Sequence, residues 1–265
     1  FNIGVLHTGM GGMGGHENYA PCAAGELVAR GYDYWALGHV HQGSVIHERP
    51  HIVFPGNLQG RHIRETGPRG GLLVTVEDNE ITSLDPLRTD VVLWEVLKVD
   101  AGGCEQISDA VERVRSALEE AIDSRADGRM LACRIELSGA AAIHESLLVS
   151  GEHILADARA VAHGFGEEAA WIERGVVRTE PLRDEDADAG EILGYLHGIL
   201  GGAAADADLH KLFKTQLGDM LAKLPVDLRN SVDDAVLSAA LGADYSALAE
   251  HAREYLSALI KARKG

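Results

Sequence analysis

"YDYWALGHVHQG", residues 32–43, ends an apolar run with two histidines separated by a single residue. A second apolar run, "GVLHTG" at residues 4–9, also closes on a histidine, His7. Short apolar runs bounded by turn residues read as buried strands. Between them, "APCAAGELVARG" (residues 20–31) reads as a helix, with Pro21 in its first turn and Gly31 at its stop. Residues 2–6, this helix and "YWAL" at residues 34–37 therefore give a β–loop–α–β order. That order predicts a layered α/β fold in which ligands gather beyond the carboxyl ends of strands. Both histidine clusters sit at such ends.

Further short strands are expected at residues 45–47, 52–54, 72–76 and 81–84, separated by the turn-forming "PGN", "GPRGG" and "EDNE". From about residue 96 the character changes. Ile107, Val111, Val114, Leu118 and Ile122 recur at helical spacing within residues 105–122. "MLACRIELSG", residues 130–139, alternates like a half-buried strand, with Cys133 on its core side. A helix over residues 146–163 and a strand pair around "AWIERGVVRTE" complete a small α/β unit, in which Trp94 and Trp171 are expected to pack. Trp35 follows the strand period and is expected in the core. The acidic "RDEDADAG" at residues 183–190 reads as a linker or helix start. Three helical segments follow, carried by Ile192, Leu193, Leu196, Ile199 and Leu200, then Leu209 to Leu221, then Leu248 to Ile260. The domain boundaries expected are 1–95, 96–182 and 183–265.

The 265 residues are 46% hydrophobic and 25% charged, the balance of a globular protein with a sizeable core. No apolar run reaches the ~20 residues that span a bilayer. The first residues lack a basic n-region, and Phe1 opens directly on a strand-like segment, as in a piece of something longer. Cys22, Cys104 and Cys133 form no CxxC pair, which argues against a disulfide framework or thiolate zinc site and for a reducing cytoplasm. The net charge of −17 excludes a surface that attracts nucleic acid as a whole. Residues 1–70 are neutral, however, and hold seven of the thirteen histidines; the acidic remainder suits solvent or a protein partner.

An imidazole at a strand end is a good metal ligand, because the strand fixes its direction while the loop leaves room for ions and substrate. In a strand-like HxH pair both rings can share one face. His39 and His41 could then hold one ion or two neighbouring ions, with His7 joining if the two strands are neighbours. Three histidines suit zinc, manganese or iron. The competing reading is a set of structural histidines. "GMGGMGG" lacks the Gly-Lys-Ser/Thr of a P-loop and reads as a flexible loop. His16 lies on a loop that could approach a substrate, and Arg61, His62, Arg64 and Arg69 make the only locally basic stretch near the histidines, one that could contact phosphates; capping or ordinary surface roles compete for each.

In order, "GVLHTG", "GHENYAPC", "GYDYWALGHVHQG" and "VFPGNLQGRHIRETGPRGG" resemble the later half of the calcineurin-like metallophosphoesterases. Within that superfamily they look most like the bacterial DNA repair exonucleases of the YhaO and SbcD type. The resemblance implies an α/β fold: the C-terminal half of a metallophosphoesterase β-sandwich, then a small α/β capping domain and an all-helical tail. It implies two divalent metal ions, manganese in many members. His7 and His39 would ligate one ion and His41 the other, for two-metal phosphodiester hydrolysis. It also implies DNA as substrate and an SMC-like ATPase of the SbcC or YhaN type as partner. A homodimer and a cytoplasmic location belong to the same expectation, and no membrane does.

None of the Asp-x-His, Gly-Asp-x-x-Asp and Gly-Asn-His-Asp/Glu motifs, which the family places before its lone histidine, precedes His7 here. The expectation is therefore a chain that binds metal weakly and is inactive by itself. A phosphoesterase acting on a small phosphodiester or nucleotide, and a non-catalytic module docking an ATPase, are the rival readings.

Overall fold

The computed structural model describes residues 1–10, 19–182, 206–225 and 234–262, with residues 195, 198, 199 and 202. The apolar runs at the start become β1 (Ile3–His7) and β2 (Tyr34–Gly38). They pair in parallel, as a crossover connection requires. β3 (Ser44–Glu48) and β4 (His51–Phe54) complete a sheet of order β1-β2-β4-β3. β4 is parallel to β2 and antiparallel to β3. The carboxyl ends of β1, β2 and β4 thus emerge at one edge. Met10, Leu27, Trp35, Leu37, Ile52 and Phe54 form the core of this sheet. Gly4 is required there because the Trp35 ring leaves no space for a Cβ.

The crossover helix α1 spans only Ala24–Val28, shorter than residues 20–31, and Pro21 lies outside it. Two contacts explain the late start. Gly9 N–H donates to the Tyr19 carbonyl at 2.8 Å and Thr8 Oγ1 to that of Ala20 at 2.8 Å, tying the preceding segment back to β1. The Glu26 carboxylate then accepts from Ala23 N–H at 2.8 Å and sets the helix start.

β5 (Gly70–Glu77) and β6 (Glu80–Arg88) form an antiparallel hairpin. Its turn residues Asp78 and Asn79 have φ of 50° and 66°, as a two-residue type I′ turn demands. A second sheet has the order β7-β8-β9, from β7 (Val92–Asp100), β8 (Met130–Ala141) and β9 (Ala170–Pro181). β7 and β8 are parallel, joined through α2 (Ile107–Ala121), which buries Ala110, Val114, Leu118 and Ala121 as one stripe. The helix runs on into a π-turn, Ile122–Ala126, and stops where Asp127 and Gly128 take positive φ.

Three expectations need correction. β8 is not half-buried: Leu131, Ala132, Cys133, Arg134 and Ile135 are all buried, because it is the central strand. Arg134 is tolerated there by a two-pronged pair with Glu173 on β9, at 3.1 and 3.2 Å. Burial, together with Glu95 and Glu173, pushes the Cys133 thiol up to about 12, so it is an inert core group. "AWIERGVVRTE" lies within one twelve-residue strand rather than forming a strand pair, since Gly175 makes no turn and instead faces Leu155. The helix over residues 146–163 is two, α3 (His144–Val149) and α4 (Gly151–Gly164), divided at Ser150.

The chain divides into two compact units, residues 1–100, 108–138 and 153–178 in one and the rest in the other. β7 therefore runs through the expected 95/96 boundary. In the second unit, α3 and α6 (Ala235–Leu241) both pack on α7 (Tyr245–Ala262). His210 and Phe213 of α5 (Ala207–Ala222) stack on Tyr245, with ring centroids 4.8 and 6.4 Å away. Leu212, Phe213, Met220, Tyr255 and Leu256 remain exposed despite their helical spacing. The acidic residues 183–190, Ile192, Leu193, Leu196 and Leu200 lie outside the described residues. Among those described, no helix is long and apolar enough to cross a membrane.

Leu118 is fully buried, whereas Leu212 is half-exposed. Leu118→Ala is expected to cost about 2–5 kcal/mol and Leu212→Ala about 0.5 kcal/mol or less. Denaturant midpoints at unchanged slope read the difference, and equal losses would contradict this burial pattern.

Candidate metal centre at the strand ends

The β1–β2 register sets His7 opposite Gly38, so the next residue, His39, emerges beside His7. The His39 Nδ1 and His7 Nε2 atoms are 3.3 Å apart, and the two rings meet edge-on at 83°. Two nitrogens bound to one ion at 2.0–2.1 Å, at angles from square to tetrahedral, lie roughly 2.9–3.4 Å apart. The observed spacing fits two adjacent ligands of one cation, and equally an N–H···N hydrogen bond between the two rings. Glycines make room for both rings: a Cβ at Gly38 would lie 3.1 Å from His7 Nδ1, and one at Gly9 3.3 Å from His39 Nε2. The Tyr19 ring also meets His7 in a T-shaped contact, with ring centroids 5.5 Å apart.

His39 has φ of 110°, a conformation that costs a residue bearing a Cβ of order 1–3 kcal/mol. This corrects the expectation of a strand-like HxH pair sharing a face. β2 ends at Gly38, the chain turns at His39, and His41 is sent to a different partner. Its Nδ1 lies 2.7 Å from Glu65 Oε1. The Glu65 side chain is only 9% exposed, and further donors surround it. Asn57 Nδ2 and Arg61 N–H each donate to Oε2 at 2.9 Å, and the Arg61 guanidinium to Oε1 at 3.2 Å. Burial alone would raise this carboxyl, but the Arg61 N–H, the Arg61 guanidinium and His41 hold it down to about 2.

The loop carrying Glu65 is fastened at several points. Gln59 accepts from Val91 and Val92 N–H at 2.8 and 3.2 Å and donates to the Val92 carbonyl at 2.7 Å. Trp94 Nε1 donates to the Gly60 carbonyl at 2.9 Å. A Cβ at Gly60 would strike the Glu65 carbonyl at 2.7 Å, so the loop closes only with glycine there. The His41 carbonyl accepts from Asn57 N–H at 3.1 Å and from Arg69 at 2.7 Å. His41 is thereby fixed by backbone and ring together.

Arg69, expected among the phosphate-contacting residues, is buried and committed to the carbonyls of His41 and Thr66. Arg61 is exposed but paired with Glu65. Arg64 is exposed, and His62 is half-buried with its Nδ1 enclosed. His16 and most of the glycine-rich loop lie outside the described residues. Sequence reading missed Glu65, Asn57 and Gln59. The available signal was an acid in the only basic stretch near the histidines, four residues after Arg61.

A cavity of ≈ 410 Å³ borders His41, walled by Ser44, Leu72, Asn57, Arg69 and Arg88 among others. Among the described residues, no three His, Cys, Asp or Glu side chains are grouped to hold an ion. His7 and His39 thus supply one fitting edge of a coordination shell rather than a complete one.

Residues 94–180 match the family described as "Metallophosphoesterase YhaO, middle domain". A Bacillus subtilis (strain 168) protein named "Uncharacterized metallophosphoesterase YhaO" is 34% identical over 226 residues, covering 84% of this chain and 51% of that protein. The chain spans about half the length of this curated relative. These likenesses support a relationship to the metallophosphoesterases.

Because the Glu65 carboxyl sits below its ordinary value of 4.5, its contribution is full above that pH and is lost as pH falls towards about 2. Glu65→Gln is expected to lower stability at pH 7 by roughly 1–3 kcal/mol. The gap to wild type should close on acidification, read by urea unfolding at the two extremes. A gap that persists unchanged at the acid end would contradict the assignment.

Proposed function

We propose that the protein is part of a metal-dependent DNA exonuclease acting in DNA repair by two-metal phosphodiester hydrolysis. The observation that carries this is the His7–His39 pair, 3.3 Å apart at the carboxyl ends of parallel strands, with His39 held in a strained conformation. Strain at such a position is retained where function needs it. The likeness to a metallophosphoesterase supports the reaction class.

In this proposal His7 and His39 ligate one ion, His41 reaches a second, and the ions are manganese. Bound ions would supply Lewis-acid activation of the phosphate and of the attacking water. The chain's own part is to aim the imidazoles, and to hold phosphates with the exposed guanidiniums of Arg61 and Arg64 and with His62 and His16. The cavity beside His41 gives space for a substrate group. With no three-ligand group among the described residues, the chain by itself is proposed to be inactive. Its complete site would form within a longer protein working in the cytoplasm.

A docking role is also proposed for the helical region. Its support is the exposed Leu212, Phe213 and Met220 on α5, which suit an SMC-like ATPase or a second copy. A nuclease that acts on a small phosphodiester or nucleotide instead of DNA is the reading to be separated by assay.

The full-length protein is expected to degrade linear duplex DNA in the presence of manganese. His7→Ala and His39→Ala should each lower the rate at least about 100-fold, as loss of a metal ligand does in a two-ion site. Hydrolysis of a small diester such as bis-p-nitrophenyl phosphate without DNA degradation would favour the small-substrate reading. Full DNA cleavage by His39→Ala would overturn the ligand assignment.

A further inference from the structure

We infer that Glu65 is the positioning residue for His41: its buried carboxylate fixes the ring as the Nδ1–H tautomer and leaves Nε2 bare for a ligand's role.

The argument starts from which atoms can donate. Apart from His41, every group at the Glu65 carboxylate presents a donor: the Arg61 N–H groups can do nothing else, and the Asn57 amide is turned with its NH2 towards Glu65 by a second bond, to the Gln59 carbonyl at 2.9 Å. Oε2 receives the Asn57 amide and the Arg61 N–H, each at 2.9 Å, and Oε1 receives the Arg61 guanidinium at 3.2 Å. A proton on either oxygen would face a donor, so the carboxylate carries none and can only accept. The 2.7 Å contact between Oε1 and His41 Nδ1 must then be supplied by a proton on Nδ1. Arg61 Nη2 also lies 3.1 Å from that nitrogen, but a protonated Nδ1 has no lone pair to offer. The guanidinium's bond is to the carboxylate, and its nearness to the ring is a consequence of their sharing Oε1.

A neutral imidazole protonated at Nδ1 keeps its lone pair on Nε2. In general, a ligating histidine donates its other nitrogen to a carboxylate or carbonyl, which fixes tautomer and orientation. Glu65 meets that requirement, and its own position is set from beyond the first sheet. Gln59 and Trp94 fasten its loop to β7, while Asn57 links Glu65 to the backbone of His41 through its side chain and its N–H. The ring is therefore oriented by the three-stranded sheet as well as by its own strand.

Replacement by glutamine makes the inference sharp. In Glu65→Gln, the side-chain carbonyl is drawn to the Oε2 position, where two donors converge. The amide NH2 is left at the Oε1 position facing Nδ1. It can only donate, so the tautomer must invert and the proton move to Nε2.

The inference rests on the metal-ligand reading only for what Nε2 goes on to do. The test is NMR of the full chain with 15N-labelled histidine, at a pH where imidazole is neutral, resolving the ring nitrogens of His41. In the wild-type protein, Nδ1 should resonate as a protonated nitrogen and Nε2 as a bare one, with the reverse in Glu65→Gln. A wild-type His41 protonated at Nε2, or a tautomer unchanged in both Glu65→Gln and Glu65→Ala, would overturn the inference. The wild-type spectrum alone is decisive should a variant fail to fold. Zinc affinity measured in parallel separates the two readings. A 10–100-fold loss in Glu65→Gln supports Nε2 as a ligand. Unchanged affinity with an inverted tautomer overturns that ligand role and leaves the positioning role of Glu65 standing.

Discussion

The parallel pairing of β1 with β2 governs the rest of the site, because it places His7 opposite Gly38 and so beside His39. Shifting the pairing by one residue would move every β1 side chain to the other face and separate the two imidazoles. The register is held by what lies beneath it: Gly4 under Trp35, Leu37 and Ile52 in the core, and Thr8 bonded across to Ala20. Gly9 and Gly38 then leave space for two rings that could not otherwise approach. The positive φ of His39 ends the strand at that point, a local cost offset by the packing of the sheet.

The second constraint comes from the loop of residues 57–69. A carboxylate as buried as Glu65 is tolerated only when its lone pairs are satisfied, and here four donor groups do so. That arrangement depends on Gly56 and Gly60. At Gly56, φ of 89° lets the turn lie against the His41 carbonyl; at Gly60 the chain closes on Glu65 and Trp94. Since Gln59 and Trp94 join this loop to β7, the sheet that matches a metallophosphoesterase middle domain also helps to orient His41. Packing, loop geometry and the placement of one imidazole are thus a single connected problem.

Much of the first sheet was legible in the sequence because its strands are short apolar runs closed by histidine or glycine. The His7 and His39 positions followed from that punctuation. What the alternation rule could not supply was the fate of His41, since one backbone torsion at His39 redirects it. "MLACRIELSG" misled because a buried Arg134 imitates the polar phase of a half-exposed strand; its partner Glu173 is 39 residues away. Gly175 suggested a turn, yet its role is to lie beneath Leu155. Glu65 looked like an intruder in a basic stretch. Its function is decided by contacts with Asn57 and His41, separations of 8 and 24 residues that no local pattern encodes.

The central claim is that the strand ends present His7 and His39 as adjacent ligands of one cation. The direct measurement is paramagnetic broadening of histidine ring resonances as Mn²⁺ is added to the chain. The account predicts that His7 and His39 broaden together at the first additions, ahead of exposed histidines such as His153. Broadening of His7 and His39 no earlier than of those histidines, or of one without the other, would contradict it.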